Sequence, residues 1–337
     1  MPSGTGHFTG SSKRVEAHPK SSNLVVNSVS LSRDLPVFPG FFEIIRVVLF
    51  NNKIYFTIVY SILIFLLLIV LYPLIYILSA SFSSPNAVST GKVILFPVDF
   101  SLEGYKEVIK YTEVWVGYRN TILYTVLGTT LNVVLTMFTG YGLSRKGLPG
   151  QKVLTFLFTF TMLFSGGLVP TYLVMNRLHL INTPFSMILP GAINITNMII
   201  ARTFIVSIPR DLEEAAMIDG CSYARYFFEI VLPLSKAIMA VLVLYYAVGH
   251  WNAYFNALIY LSNRDLFPLQ LFLREILILN TASSSQIMDP EMEEKMRGMA
   301  DLLKYALIVV STVPILCAYP FAQKYFTKGV MVGSLKG

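Results

Sequence analysis

Charge is scarce in this chain. Charged residues make up 13% of its 337 positions, against about a quarter in an ordinary soluble domain. So small a polar surface does not cover a water-soluble globule of this mass, which argues against a cytosolic enzyme. Cysteine is nearly absent too: Cys221 and Cys317 stand far apart and make neither a disulfide framework nor a zinc site. The four histidines, His7, His18, His179 and His250, have no ligand spacing, so no metal site is expected. No G-x-x-x-x-G-K-[ST] run occurs, so the chain carries no phosphate-cradling loop of its own, and no acyl-transfer constellation is visible. Residues 1–40 hold no apolar stretch, so no cleavable secretion signal is expected.

Apolar side chains are abundant instead: 54% of positions are hydrophobic and 13% aromatic, which excludes a disordered chain. A membrane-crossing helix needs about 20 mostly apolar residues, because the hydrocarbon layer is about 30 Å thick. Six runs meet that length, at about 54–80, 121–143, 153–175, 185–206, 237–261 and 305–322. Pro73, Gly166-Gly167, Pro170, Pro190 and Pro314 fall inside them and read as kinks or close helix contacts rather than ends. The expected fold is an all-α polytopic membrane protein with six transmembrane helices.

The net charge is +7. In a chain this apolar, the positions of the basic residues relative to the bilayer decide its meaning, and no nucleic-acid partner is expected. With the amino terminus inside, the inner segments collect 16 basic residues against 8 acids, and the outer ones 10 against 11. The short turn at 144–152 carries three positive charges and no acid, whereas 176–184 carries only Arg177. By the positive-inside rule both termini are cytoplasmic. Residues 1–40, rich in Ser, Gly and Pro, read as a disordered cytoplasmic segment, and 41–50 as an interfacial helix leading into the first span of a six-span domain at 41–337. Among the outer loops, 269–279 reads as a short helix, either folding over the outer face or shielding span ends.

The inner loop at 207–233 carries the most specific signal. Pro209 suits the start of a helix, and Asp211, Glu213 and Glu214 set negative charge near its positive end. Gly220 is a natural left-handed stop, Ser222 can cap a second helix, and Pro233 closes that one. Leu212, Ala215, Ala216 and Asp219 share a face that the alanines keep flat. The loop reads as two short helices with a hinge.

Glu214-Ala215-Ala216, then Gly220, then Ile230-x-Leu232-Pro233 resemble the EAA loop of binding-protein-dependent ABC importer permeases. Two further stretches resemble its carbohydrate branch: the tail from Gly329 through Gly333 and Lys336 to Gly337, similar to the smaller permease of maltose-type importers, and 249–261, similar to fifth spans of oligo- and polysaccharide permeases. The resemblance covers roughly 55–337.

It implies a type I permease fold in a bacterial inner membrane, paired with a second, related permease in a heterodimer, with two ATPase subunits and an extracytoplasmic solute-binding protein. ATP and Mg would be held by the ATPases, with no cofactor on this chain, which would be a transport subunit and not an enzyme. Asp211, Leu212, Glu214, Ala215, Ala216 and Gly220 would contact an ATPase as a cytoplasmic coupling helix. The tail at 323–337, through Gly329, Gly333, Lys336 and Gly337, would insert between the ATPases; a tail held to lipid headgroups by its lysines is the other reading. The cargo implied is a carbohydrate, an oligosaccharide above all, or otherwise a non-sugar solute.

Polar groups inside spans are costly and face a cavity or another helix. Asn194 and Asn197 in the fourth run, and His250, Trp251, Asn252 and Asn256 in the fifth, are the candidate substrate path. Amides and aromatic faces suit sugars; helix–helix hydrogen bonding and interfacial anchoring are the alternative. An ion-driven secondary transporter is the rival function, but its usual signature of acids within spans is missing.

Overall fold

The computed structural model describes residues 52–145, 147–282 and 290–334. The segments expected at 1–40 and 41–50, and Lys336 and Gly337 of the expected tail, lie outside them. Among the described residues the regular structure is helical throughout, without strands. The chain divides into two units, 1–65 and 66–337, and the cores described below belong to the second.

The first expected span matches α1, Asn52–Ser81, whose apolar side chains run all around the helix. Short helices α2, Pro85–Ser89, and α3, Glu103–Lys110, follow. The second span is α4, Thr112–Ser144, 33 residues long and hence about 50 Å. It starts nine residues before the expected run. Its length is stitched to the rest through buried polar groups: Asn120 Nδ2 donates to Asp265 O at 2.7 Å and Phe267 O at 3.0 Å, Tyr124 Oη to Leu266 O at 2.8 Å, and Thr121 Oγ accepts from Leu269 N at 2.9 Å.

The third run is not one rod. It forms α5, Gln151–Leu163, and α6, Leu168–Arg177, which meet at 117°. The reversal falls at Gly166-Gly167, where Gly167 has φ 85°, a conformation that glycine reaches without strain. A doublet expected to kink the run instead breaks it. The fourth run is also broken. Helix α7, Phe185–Ile188, stops before Pro190 and Gly191 (φ 75°), and α8, Ile195–Val206, begins only after Asn194 caps it by accepting from Asn197 N at 3.1 Å. Twelve helical residues rise about 18 Å, short of the bilayer core.

Beyond α8 come α9, Arg210–Ile218, and α10, Tyr223–Tyr226, which continues through a π-turn at Phe227–Val231 into α11, Leu232–Leu234. At Ser235 the chain bends 79° into α12, Lys236–Trp251. The expected fifth run ends there as a helix and resumes as α13, Phe255–Tyr260, after a break at Asn252–Tyr254. Helix α14, Leu269–Ala282, forms where a short helix was expected, with Leu269, Leu271 and Phe272 buried in two cores rather than laid on a face. Helix α15, Pro290–Ser334, contains the sixth expected span and continues into the expected tail, so Gly329 and Gly333 are helical. Single helices long and apolar enough to cross a bilayer number three among the described residues, or five if each bent pair counts as one crossing.

The largest core brings α4 (Val133, Met137), α8 (Ala201, Ile205), α9 (Ala216), the π-turn (Phe227, Val231) and α12 (Leu242, Tyr246) together. The loop singled out by sequence therefore stands directly on the packed helices.

Candidate functional site

Helix α9 is closed at both ends by local chemistry. Pro209 precedes it with φ −55°, and Asp211 and Glu213 occupy the first turn, where the helix dipole favours negative charge. At the other end Gly220, φ 77°, turns the chain left-handed. Gly220 N donates to Met217 O at 3.1 Å and Cys221 N to Ala216 O at 2.9 Å, the paired bonds of a Schellman stop. Ser222 then caps α10 by accepting from Arg225 N at 3.3 Å. The hinge between two short helices has the form the sequence suggests.

What the structure adds is the orientation of α9. Asp211, Leu212, Glu214, Ala215 and Gly220 are exposed, but Ala216 is buried in the core beneath. Of the residues expected on the outward face, Ala216 is thus the exception: it seats the helix. Ile218, passed over in the sequence, is 85% exposed.

A second residue missed by sequence reasoning ties this helix to α4. Arg145 follows α4, and its Nη2 lies 2.8 Å from Glu213 Oε1. The guanidinium also stands 4.2 Å from the centre of the Tyr223 ring and 5.3 Å from that of Tyr141, an arrangement in which ring faces stabilise the cation. Tyr141 Oη donates to Tyr223 O at 3.1 Å. In the sequence Arg145 counts only toward orientation.

On the other side of the α4–α8–α12 core lies a polar cavity of about 240 Å³. Asn194, Asn197, His250 and Asn256, scattered along two expected spans, all line it, together with Asn132 of α4 and Tyr246 of α12. His250 Nε2 is 3.0 Å from Asn132 Oδ1, and Asn132 Nδ2 donates to Gly191 O at 3.1 Å. With that amide orientation, His250 Nε2 is the donor. Tyr246 Oη is 2.6 Å from Thr136 Oγ1 and accepts from Asn194 N at 3.2 Å. Gly128 permits the approach of His250, since a Cβ there would overlap the imidazole. The wall is a connected set of amide, imidazole and hydroxyl donors and acceptors.

Trp251 and Asn252 do not join this wall. Trp251 is buried and donates from Nε1 to Ser311 O at 2.9 Å, while Asn252 donates back to Val248 O at 3.0 Å. For these two, helix contacts are the reading that fits. Among the described residues no group of three or more His, Cys, Asp or Glu could hold a metal ion.

A family profile described as a binding-protein-dependent transport system inner membrane component matches residues 114–332, a segment that runs from the first turns of α4 through α9 to the end of α15. The polygalacturonan/rhamnogalacturonan transport system permease protein YtcP of Bacillus subtilis (strain 168) is 40% identical over 287 residues, covering 85% of this chain and all of that protein. Protein LplC of the same organism is 41% identical over 271 residues, covering 80% and 90%. A crystal structure of a bacterial ABC transporter involved in the import of the acidic polysaccharide alginate contains a chain that superposes with a TM-score of 0.73 at 33% identity, covering 82% of this chain and 98% of that one. The chain belongs to the family of binding-protein-dependent transport system inner membrane components, as a membrane permease subunit.

Proposed function

We propose that this chain is one of two permease subunits of an ATP-driven importer of carbohydrate, and that α9 is the element through which the motor acts on it. The observation that carries this reading is the mounting of α9: a helix closed at both ends, seated by Ala216 on the α4–α8–α12 core, with Asp211, Leu212, Glu214, Ala215 and Ile218 turned outward. A loop so rigidly attached to three membrane helices can pass a push to them. The chain has no nucleotide loop, so ATP and Mg belong to two ATPase subunits; a second permease completes the path, and an extracytoplasmic binding protein delivers the cargo. The positive-inside distribution of the basic residues supports a cytoplasmic α9 and cytoplasmic termini. Six passages are counted by accepting the broken third, fourth and fifth runs as crossings, since irregular backbone at membrane depth is tolerated where it lines a cavity.

The cavity at Asn132, Asn194, Asn197, His250 and Asn256 is the part of the path this chain supplies. Amides, an imidazole and tyrosines offer hydrogen bonds of the kind sugar hydroxyls use, and the named cargoes of YtcP and of the alginate importer are polysaccharides. The end of α15, with Gly329 and Gly333, and Lys336 and Gly337 beyond it, would meet the ATPases.

The test is crosslinking in the assembled transporter. With Cys221 and Cys317 replaced by serine, single cysteines at Leu212 and Ile218 should crosslink to an ATPase subunit with a yield that depends on nucleotide. Absence of any motor adduct at either position would overturn the proposal. ATP-dependent uptake of labelled oligogalacturonides into proteoliposomes tests the cargo.

A further inference from the structure

At the coupling-loop end of the bundle, α5 and α8 leave an open groove of about 520 Å³ between them, lined by Gln151, Lys152, Thr155, Phe156, Thr159 and Arg202. Its floor is fixed by one carbonyl: Leu143 O, near the end of α4, accepts from Arg202 Nε at 2.9 Å and from Gln151 Nε2 at 2.7 Å. The guanidinium is thereby held at the edge of a helix that carries no other charge. Lys152 stands exposed across the groove. Among the described residues no carboxylate pairs with either cation.

Two cations beside a lipid-facing helix at the coupling-loop end of the bundle, with no carboxylate on either, suit an anion. The rest of the groove says which anion. Helix α5 buries none of its residues, and Phe156, Phe160 and Leu163 project from it along the direction leading away from Lys152. A ligand filling this site needs a compact anionic head against Lys152, Arg202 and the threonines, and long apolar chains against the aromatic face of α5. Basic grooves between membrane helices on the cytoplasmic side suit lipid headgroups for this reason.

We propose that this groove binds the phosphodiester headgroup of an anionic phospholipid, with its acyl chains lying along α5. The site does not depend on what the transporter carries; it rests on the proposed orientation only in assigning the lipid to the inner leaflet.

The experiment is native mass spectrometry of the complete, delipidated transporter incubated with phosphatidylglycerol or phosphatidylcholine. Wild type should retain phosphatidylglycerol in preference. Lys152→Gln, at an exposed position that leaves the fold alone, should weaken retention about fivefold, and Lys152→Gln with Arg202→Gln should abolish the preference; Arg202→Lys should keep most of it. Equal retention of the two lipids by wild type, undiminished retention by Lys152→Gln, or displacement of the lipid by millimolar inorganic phosphate would each overturn the proposal. Failure here leaves the crosslinks from α9 untouched, so the two readings fall separately.

Discussion

Arg145 Nη2 and Glu213 Oε1 lie 2.8 Å apart, and that contact joins the end of α4 to the first turn of α9. The Arg145 side chain is only 15% exposed, and Tyr223 lies against its guanidinium, so the pair is better sheltered than most surface ion pairs. One side chain thus connects α4, α9 and α10. If α9 receives the proposed push, α4 would feel it by two routes, through this contact and through the apolar core under Ala216.

Arg145→Ala removes the first route and leaves the second. The local attachment lost is roughly 1–2 kcal/mol, enough to loosen α9 without unfolding the chain. Uptake per ATP hydrolysed should fall several-fold, while hydrolysis itself continues. Arg145→Lys keeps the charge but loses the planar stacking and should fall between. Parallel measurement of uptake and hydrolysis in proteoliposomes checks both; an unchanged ratio in Arg145→Ala would show that the contact transmits nothing.

Gly220 makes a cleaner case, because space and backbone can be separated there. A Cβ at Gly220 meets nothing within 4 Å, so the cost of a side chain comes from its φ of 77° alone. Gly220→Ala should cost about 1–2 kcal/mol, and Gly220→Asn less, since asparagine tolerates the left-handed region. Uptake should rank glycine, asparagine, alanine. Equal activity in all three variants would mean that the Schellman stop does not set the position of α9.

The parts of this protein legible in its sequence are those whose signals are local. Pro209, Gly220 and Ser222 specify the ends of α9 and the start of α10 within a few residues of where they act, and the hinge follows from them. Orientation along the chain's own core is not local. Whether Ala216 faces inward depends on α4, α8 and α12 meeting beneath it, and Arg145 finds Glu213 across four intervening helices, so neither has a short-range signature. Gly166-Gly167 and Pro190 mark the places where apolar runs break, but hydropathy gives the same score to a kink and to a reversal of 117°. In the cavity, polar residues inside apolar runs point to Asn194, Asn197, His250 and Asn256. Trp251 looks equivalent in one dimension and is turned toward α15 instead.

Ile218 separates docking from folding. At 85% exposure it contributes little to the chain's own packing, and Ile218→Asp should shift stability by no more than about 0.5 kcal/mol. The same change puts a charge on the outward end of α9 and should reduce recovery of the ATPases with the permease pair. Co-purification alongside a melting curve reads the two effects independently. Lost recovery with an unshifted melt is the expected result; intact recovery would move the contact away from this end of the helix.

Gly128 and His250 allow the cavity wall to be tested as a unit. A Cβ on Gly128 would overlap the imidazole ring, so Gly128→Ala forces His250 off Asn132 Oδ1, at an overpacking cost of about 1–3 kcal/mol. His250→Ala removes the obstacle but strands the Asn132 amide oxygen. If the two residues meet as described, Gly128→Ala should be nearly silent when made in the His250→Ala background, giving an interaction term of about 1–3 kcal/mol in a double-mutant cycle. Melting of the assembled transporter measures that term. Uptake should behave differently: on the proposed path through the cavity, the double variant recovers stability relative to Gly128→Ala but remains poor in transport, because the imidazole would be gone. Strict additivity of the two melts would mean that Gly128 accommodates something other than His250. Recovered uptake in the double variant would remove His250 from the path while leaving the packing intact.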